Sequence, residues 1–173
     1  MITAILACDE KWGIGKAGTL PWPKNTADLK WFKEETFGHV VIMGRNTWNA
    51  PGMPNPLAGR INVVITRDTS VTLAVPGILS PYLTTLDELP NILEEWQVVP
   101  GGFPLLKVFV IGGANLVESM LDQIDEIWLS CIDGDWDCDT FLPKEKIKSM
   151  FERDQHLDYR ADGLIIETWT KRK

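Results

Sequence analysis

The sequence predicts an α/β fold with a mostly parallel central sheet of about eight strands and one antiparallel strand at its edge. Short apolar runs, such as those at residues 2–8, 39–43 and 107–111, are typical of strands that are covered on both faces. These runs alternate with glycine turns and helix-like segments, which is the order found in parallel sheets. The last two segments have the pattern of an antiparallel pair. We therefore expect helices on both faces of the sheet.

Composition and charge exclude several classes of function. A chain of 173 residues with 45% hydrophobic and 24% charged residues has the size and composition of one globular domain. The net charge of −7 argues against general binding to nucleic acids or acidic membranes, because both need a basic protein surface. The N-terminus lacks the pattern of a signal peptide, and no apolar run reaches the roughly 18 residues of a membrane span.

The cysteines and histidines indicate neither a disulfide framework nor a metal site. Cys8, Cys131 and Cys138 are an odd number without the spacing of metal ligands, and both histidines lie far from them in sequence. We expect three reduced thiols, no metal, and a cytoplasmic monomer. Its partners are expected to be small molecules rather than nucleic acids or membranes.

The most informative pattern follows a Leu-Pro-Trp sequence early in the chain. Asn25 and Asp28 have the spacing of a helix start, with an N-cap residue and an acidic residue in the first turn. A helix that begins near Thr26 places Asp28 on one apolar stripe with Leu29 and Phe32. Two interpretations remain equally open at this point. Asp28 either stabilises the helix start, or it is a carboxylate held in an apolar cleft for proton transfer.

Residues 9–24 form a long predicted loop after the first strand. Within it, GIGKAG at residues 13–18 matches the dinucleotide-binding pattern G-x-G-x-x-G. That mechanism needs a helix to begin directly after the glycines, whereas Leu20, Pro21 and Trp22 follow here. We therefore favour a mobile flap over a site rather than a Rossmann phosphate loop.

Two predicted strands end in residues that suit an anion. Residues 39–43 run into a glycine and Arg45, and residues 61–65 run into Thr66 and Arg67. Free backbone N–H groups at a strand-to-helix turn, with an arginine beside them, suit a phosphate group. Each turn alone is equally compatible with an ordinary connection. Two such turns in one chain favour an anion site.

The second half of the chain continues the alternation. Residues 77–83 are a possible short strand, and Thr85 and Glu88 have the spacing of a capping box ahead of a helix. Pro90 makes two short helical pieces as compatible as one. The strand at residues 107–111 then runs into paired glycines, which either form a tight turn or let a ligand approach the backbone.

The C-terminal part of the chain is predicted to hold a strand at residues 126–132 and an antiparallel hairpin. The hairpin pairs residues 151–159 with residues 164–171 about a turn at 160–163. His156 alternates with charged neighbours on the first of these strands, so we expect it on the surface.

Six short motifs together resemble the dihydrofolate reductase family. They are LPW at 20–22, ADLKWF at 27–32, MGRNTW at 43–48, LAGR at 57–60, VIGG at 110–113 and DTFLP at 139–143. Their order and spacing match that family from end to end. The resemblance implies a single dihydrofolate-reductase-like domain over residues 1–173. It also implies NADPH-dependent reduction of 7,8-dihydrofolate to 5,6,7,8-tetrahydrofolate for one-carbon metabolism and thymidylate synthesis, with antifolates as inhibitors.

The resemblance also implies roles for individual residues. Asp28 matches the catalytic carboxylate, Trp22 the residue that orders a water beside it, and Arg60 the arginine that holds the substrate's glutamate tail. The glycine pair matches one joined by a cis peptide. The substrate-binding positions are Ile5, Ala7, Asp28, Leu29, Phe32, Lys33, Arg60 and Ser130. The cofactor-binding positions are Ala7, Ile14, Gly15, Gly18, Thr19, Leu20, Gly44, Arg45, Asn46, Thr47, Thr66, Arg67, Ile111, Gly112, Gly113, Ala114, Asn115 and Leu116.

The chain departs from the family pattern at several positions. Val117 stands where a tyrosine is usual, Asn115 where an arginine often contacts the cofactor, and Leu20 where methionine is common. We expect these changes to affect the rate and antifolate affinity rather than the reaction. Two alternatives are a riboflavin-pathway reductase of the same fold, expected to lack the Asp28 carboxylate behind a Leu-Pro-Trp flap, and a non-catalytic relative that binds folate or dinucleotide.

Overall fold

The computed structural model describes residues 1–70, 80–97, 106–161 and 163–173, in which strands and helices alternate as the apolar runs predict. The strands are β1 (Ile2–Cys8), β2 (Gly13–Gly15), β3 (Val40–Gly44), β4 (Ile61–Ile65), β5 (Tyr82–Thr84), β6 (Val108–Val110), β7 (Glu126–Cys131), β8 (Thr140–Phe141), β9 (Phe151–Arg153), β10 (Tyr159–Ala161) and β11 (Leu164–Lys171). The helices are α1 (Thr26–Thr36), α2 (Arg45–Trp48), α3 (Leu89–Gln97), α4 (Ala114–Met120) and α5 (Lys144–Met150).

Nine of these strands form one sheet. Eight lie in the order β10-β11-β7-β1-β6-β3-β4-β5, and β9 also pairs with β11. All neighbours from β7 to β5 are parallel, whereas β11 is antiparallel to β7, β9 and β10. A separate antiparallel pair joins β2 to β8. The predicted parallel sheet with an antiparallel C-terminal strand is confirmed.

Successive residues of the central strands point to opposite faces of the sheet, and each face carries its own apolar cluster. On one face, residues such as Leu6 and Ile42 pack in a cluster that includes buried side chains of α3, α4 and α5. On the other face, Ile5 and Val41 pack in a cluster with aromatic side chains of α1 and α2. Helices therefore cover both faces, and every strand between β7 and β4 is buried on both sides.

Helix α1 begins where the capping pattern predicts. Asn25 has an extended backbone, and its side chain accepts a hydrogen bond of 3.1 Å from the backbone N–H of Asp28. The helix ends at Thr36, whose buried hydroxyl donates to the carbonyl of Phe32. The start of the helix is set by local side-chain chemistry, which is why the sequence predicts that it lies near Thr26.

Helix α3 is a single helix, so the alternative of two short pieces is wrong. Thr85 and Glu88 form the reciprocal contacts of a capping box, at 3.3 and 3.5 Å. Pro90 is the second residue of the helix, which continues past it to Gln97. Of the predicted strand at 77–83, residues 77–79 lie outside the described residues, and the strand observed begins at Tyr82.

The C-terminal hairpin is interrupted on its first side. Strands β9 and β10 both pair with β11, but a turn separates them because the Asp154 carboxylate accepts a hydrogen bond from the backbone N–H of His156. His156 is exposed, as predicted, but it lies in this turn and not on a strand. Of the predicted turn at 160–163, residue 162 lies outside the described residues. No helix in the described ranges is long and apolar enough to cross a membrane.

Candidate functional site

The carboxyl ends of the parallel strands form one edge of the sheet, and most of the predicted site residues lie along it. In α/β sheets this edge is where ligands bind, because loops there can vary without disturbing the sheet. Ala7 on β1 is the register partner of Ser130 on β7, and Ile5 on β1 is the partner of Trp128. These residues share the sheet face that α1 covers.

Asp28 is a buried carboxylic acid at the start of α1. Its residue is 8% exposed, and burial raises the pKa of its carboxyl group above the ordinary value. The nearby Ser130 hydroxyl favours the carboxylate and partly offsets this rise in pKa. Ser130 is itself buried, and its Oγ forms no regular hydrogen bond within the described residues, so the offset is weak. Since Asn25 already caps the helix, capping does not explain why Asp28 is buried.

Arg60 directly precedes β4 and lies on the same side of the sheet as Asp28. It contacts α1 at Phe32, one helical turn after Asp28. Its guanidinium carbon is 5.6 Å from the centre of the Phe32 ring, and Phe32 follows Asp28 by four residues. Burial lowers the pKa of Arg60, and its Nε is buried without a hydrogen-bond partner among the described residues. The carboxyl group, the aromatic ring and the guanidinium thus follow one another along α1. Leu29 and Lys33 are exposed beside them.

Asn62 holds Arg60 in place, and sequence reasoning missed it. Its side chain is buried; the amide nitrogen donates to the carbonyls of Leu57 and Arg60 at 3.0 Å, and its oxygen accepts from the N–H of Leu57 at 2.9 Å. These bonds close the loop that delivers Arg60 to the site. The available signal was a single asparagine within the apolar run of β4.

Two glycine turns meet on the neighbouring strands β3 and β6. The peptide bond between Gly112 and Gly113 is cis, and the N–H of Gly44 donates to the carbonyl of Gly112 at 2.8 Å. A Cβ atom on Gly113 would lie 3.5 Å from the Thr47 hydroxyl, so the backbone and this side chain already lie side by side. Helices α2 and α4 begin directly after Gly44 and Gly113, and neither has a side-chain cap. Backbone N–H groups at both helix starts are therefore available for an anion.

The basic residues predicted for an anion lie beside these turns. Gly44 and Ile65 are register partners, so Arg45 and Thr66 follow side by side at the ends of β3 and β4. Hydrogen bonds from Ser70, and to a smaller extent the positive charge of Arg45, lower the pKa of Asp68. Thr66 is buried. Arg67, Asn46 and Asn115 are exposed.

The remaining predicted site residues differ in how deeply they are buried. Leu116 and Val117 are buried in the core, so any ligand contact of Leu116 would come from its backbone, and Val117 adds no polar group. Ile111 and Ala114 are half-buried. Trp22 is buried and forms one wall of a surface depression with Ala27, which directly precedes Asp28.

The glycine-rich segment, the predicted flap, contains a tight hairpin and not a Rossmann turn. Lys16 and Thr19 exchange backbone hydrogen bonds of 2.8 and 3.0 Å, and Ala17 and Gly18 between them both have positive φ. This is the geometry of a tight two-residue hairpin, and no helix begins here. The Ala17 N–H donates to the Asp139 carboxylate at 2.8 Å. Leu20, beyond the hairpin, is 53% exposed.

Asp9 fixes the base of this flap, and it too was missed. Its buried carboxylate accepts hydrogen bonds from the backbone N–H groups of Lys11, Gly13 and Trp136 and from the Cys138 thiol. Burial alone would raise the pKa of Asp9, but the hydrogen bonds outweigh it and the pKa is lowered. Only the fold brings the loop at residues 133–139 to Asp9, so local sequence carries no signal for this contact.

Comparisons with known proteins point to one family. A family model described as dihydrofolate reductase matches residues 1–164. The dihydrofolate reductase of Pneumocystis carinii is 33% identical, with 99% of this chain and 86% of that protein covered. For the dihydrofolate reductase of Staphylococcus aureus, identity is 34%, with 82% of this chain and 77% of that protein covered.

Two further comparisons define the extent of the likeness. The bifunctional dihydrofolate reductase-thymidylate synthase of Glycine max is 36% identical over 80% of this chain, but the match spans only 27% of that longer protein. The solved dihydrofolate reductase of Enterococcus faecalis, complexed with NADP(H) and RAB-propyl, superimposes with a TM-score of 0.77. It is 24% identical, and the match covers 100% of this chain and 97% of that one, so it supports the fold.

The base of the flap allows a direct test of its packing. A Cβ atom on Gly13 would lie 2.4 Å from the Cβ of Cys138, so Gly13→Ala should destabilise the protein by roughly 1–3 kcal/mol. Cys138→Gly removes the obstructing atom, and the double variant should recover most of the loss. Thermal unfolding of the four proteins measures the coupling. Cys138→Ala keeps the Cβ and serves as the control that should not rescue; equal rescue by both would contradict the contact.

Proposed function

The chain belongs to the dihydrofolate reductase family, and from this premise we propose that it catalyses the NADPH-dependent reduction of 7,8-dihydrofolate to 5,6,7,8-tetrahydrofolate. The observation that carries the proposal is the buried Asp28 carboxyl group with its raised pKa, on the sheet face that also holds Phe32 and Arg60. Reduction of the pterin ring of 7,8-dihydrofolate requires a hydride at C6 and a proton at N5. Asp28 is the titratable group that the family pattern places beside that ring.

Asp28 is proposed to bind the pterin ring and to assist the proton transfer. A carboxylate accepts hydrogen bonds from neighbouring ring N–H and amino groups, which orients the ring in the cleft. Because burial raises its pKa, the group keeps a proton to higher pH than an exposed aspartate does. Trp22 is proposed to order the water that carries the proton, and Ser130 to support the carboxylate. Ile5, Ala7, Leu29 and Phe32 are proposed as apolar walls.

Arg60 is proposed to bind the carboxylate of the substrate's glutamate tail, with Lys33 near it. Its Nε is buried without a partner in the described part of the chain, and an anion there would satisfy it. The guanidinium fork suits a carboxylate because two parallel hydrogen bonds form at once. The contact with Phe32 and the loop closed by Asn62 hold the fork in position before the substrate arrives.

The glycine turns fit a dinucleotide. The backbone at Gly44, Gly112 and Gly113, with Thr47 beside it, is proposed to lie against the pyrophosphate at two helix starts that have no side-chain cap. Arg45 and Arg67 offer charge for the 2′-phosphate of NADPH, which supplies the hydride when bound. The other positions proposed to contact it are Ala7, Ile14, Gly15, Gly18, Thr19, Leu20, Asn46, Thr66, Ile111, Ala114, Asn115 and Leu116.

We also propose that residues 1–173 are one reductase domain that works as a monomer in the cytoplasm and is inhibited by antifolates. The three cysteines are free, which suits a reducing compartment. The family match and the retained Asp28, Trp22 and Arg60 argue against a riboflavin-pathway reductase and against a non-catalytic relative.

The first test is an assay of NADPH oxidation with and without dihydrofolate. We expect turnover only when dihydrofolate is present, and a preference for NADPH over NADH of roughly tenfold or more in kcat/KM, the value of one charge-assisted contact to the 2′-phosphate. NADPH oxidation without dihydrofolate, or no turnover at all, would reject the reaction. Equal kcat/KM for the two cofactors would reject the role of Arg45 and Arg67.

Asp28→Asn should lower turnover at neutral pH by about 10²–10⁴-fold, because it keeps the shape of the side chain but removes the ionisable acid. The loss should shrink as pH falls, since solvent then protonates more of the substrate directly. The variant should also be more stable than the wild type at neutral pH. The native protein holds its Asp28 proton to higher pH than the unfolded chain does, so wild-type stability falls as pH rises between the two pKa values, and asparagine avoids that loss.

Asp122→Asn is the matched control, because Asp122 is an exposed acid after α4, outside the proposed site. It should leave turnover unchanged. An Asp28→Asn variant with near wild-type turnover, or with the same defect at every pH, would show that Asp28 takes no part in proton transfer.

Arg60→Ala should raise the KM for dihydrofolate and leave kcat little changed, because the tail is bound equally in the ground state and the transition state. Losing a charge-assisted pair of bonds predicts an increase of about tenfold or more. Steady-state kinetics measure both constants. Arg160→Ala is the control. Arg160 is exposed on β10, the outermost strand on the side of the sheet away from β4 and Arg60. A loss of kcat at normal KM would remove Arg60 from the tail site.

A further inference from the structure

Trp12 lies at the base of the flap and is not among the residues assigned to either ligand. Its φ is +65°, in the left-handed region that bulky side chains rarely adopt, and the residue is only 8% exposed. A tryptophan kept in this conformation must be held by surrounding contacts. The question is what those contacts hold in place.

Three parts of the fold hold Trp12. Its ring meets the Trp169 ring of β11 edge to face, with centroids 5.3 Å apart, and the Lys144 ammonium at the start of α5 lies 5.6 Å from its ring centre. Its backbone N–H donates to the carbonyl of Asp9, and its carbonyl accepts from the N–H of Leu142, both at 3.0 Å. Trp12 thus joins the flap base to the sheet, to a helix and to the loop before that helix.

The loop after β1 consequently has two unlike halves. Residues 9–15 are fixed by the buried Asp9 carboxylate, by Trp12 and by the pairing of β2 with β8. Residues 16–20 are exposed, and within the described residues the hydrogen bonds and ion pairs that join them to the rest of the protein are the exposed pairs Lys16–Asp137 and Ala17–Asp139. Exposed pairs of this kind are weak. The boundary between the fixed and the exposed half lies directly after Gly15.

We propose that Trp12 is a positioning residue for NADPH binding: it fixes the base of the flap, so that Ile14 and Gly15 hold one place against the cofactor while residues 16–20 open and close. This inference rests on the proposed function, which assigns Ile14 and Gly15 to the cofactor. Trp12 itself touches no ligand. Its aromatic and cation–π contacts reduce the number of positions that the flap base can adopt, and a preorganised binding surface holds its ligand longer.

The main test compares Trp12→Gly with Trp12→Phe in the full-length chain. Glycine accepts the positive φ but removes the ring, whereas phenylalanine keeps an aromatic ring against Trp169. Trp12→Gly should release NADPH about tenfold faster in stopped-flow competition and raise the KM for NADPH by a similar factor. The KM for dihydrofolate should change less than threefold. Trp12→Phe should restore most of the NADPH affinity.

Two comparisons separate positioning from stability alone. Ile124→Ala removes a fully buried side chain after α4, so it should lower the melting temperature without changing NADPH release. If Trp12→Gly does not fold, Lys144→Met removes the cation at Trp12 and should speed NADPH release about two- to threefold. Lys146→Met, on the same helix but paired with Glu118, should leave release unchanged.

The outcomes distinguish this inference from the proposed function. Wild-type turnover of dihydrofolate is measured first, and its absence would reject the function itself. With wild-type turnover present, a Trp12→Gly variant that loses stability but keeps wild-type NADPH release and KM would overturn the positioning role. If Trp12→Gly does not fold, equal rates of NADPH release from the Lys144→Met and Lys146→Met variants would also overturn the positioning role.

Discussion

Burial of the Asp28 carboxyl group is the constraint on which the rest of the site depends. An acid at the start of α1 would normally remain in water, where it stabilises the helix dipole and keeps an ordinary pKa. Here α1 packs Trp31 and Phe32 into the aromatic cluster around Ile5 and Trp128, and Asp28, one turn earlier on the helix, is buried as well. The Asn25 side chain makes this possible, because it accepts a hydrogen bond from the backbone N–H of Asp28 and caps the helix without the Asp28 carboxyl group. The acid is therefore available to a ligand.

The functional groups on loops are held by other buried polar side chains that touch no ligand in the proposed site. Asn62 closes the loop before Arg60, and Asp9 gathers backbone N–H groups from two loops. Buried polar groups of this kind are costly unless they are fully bonded, and when bonded they allow only one arrangement of the chain. This explains how long, glycine-rich loops present Arg60 and Gly15 at defined positions although loops are generally mobile.

The sequence predicts features that depend on residues close to one another in the chain. It does not predict features that depend on contacts between residues far apart. The start of α1 depends on a side chain three residues away, so the pattern at Asn25 and Asp28 predicts it correctly. The break between β9 and β10 coincides with the turn at Asp154, and the Asp158 carboxylate beside it accepts hydrogen bonds from Arg153 and from the backbone N–H of Thr168 on β11, which no local pattern shows. The family motifs name the site residues but not the residues that support them. Asp9 owes its role to contacts with residues more than a hundred positions away.

The base of the flap shows why neighbouring residues carry opposite demands. Gly13 must lack a side chain because Cys138 fills the space beside it, whereas Trp12 keeps its ring against Trp169 and Lys144 although its positive φ would suit glycine better. Substitution of either residue alone would disturb the packing at the base of the flap. Fixed contacts are therefore concentrated before Gly15, and among the described residues the exposed hairpin after it is joined to the rest of the protein by weak surface pairs. The proposed reduction is served by this division, because NADPH must be held firmly during hydride transfer and released afterwards.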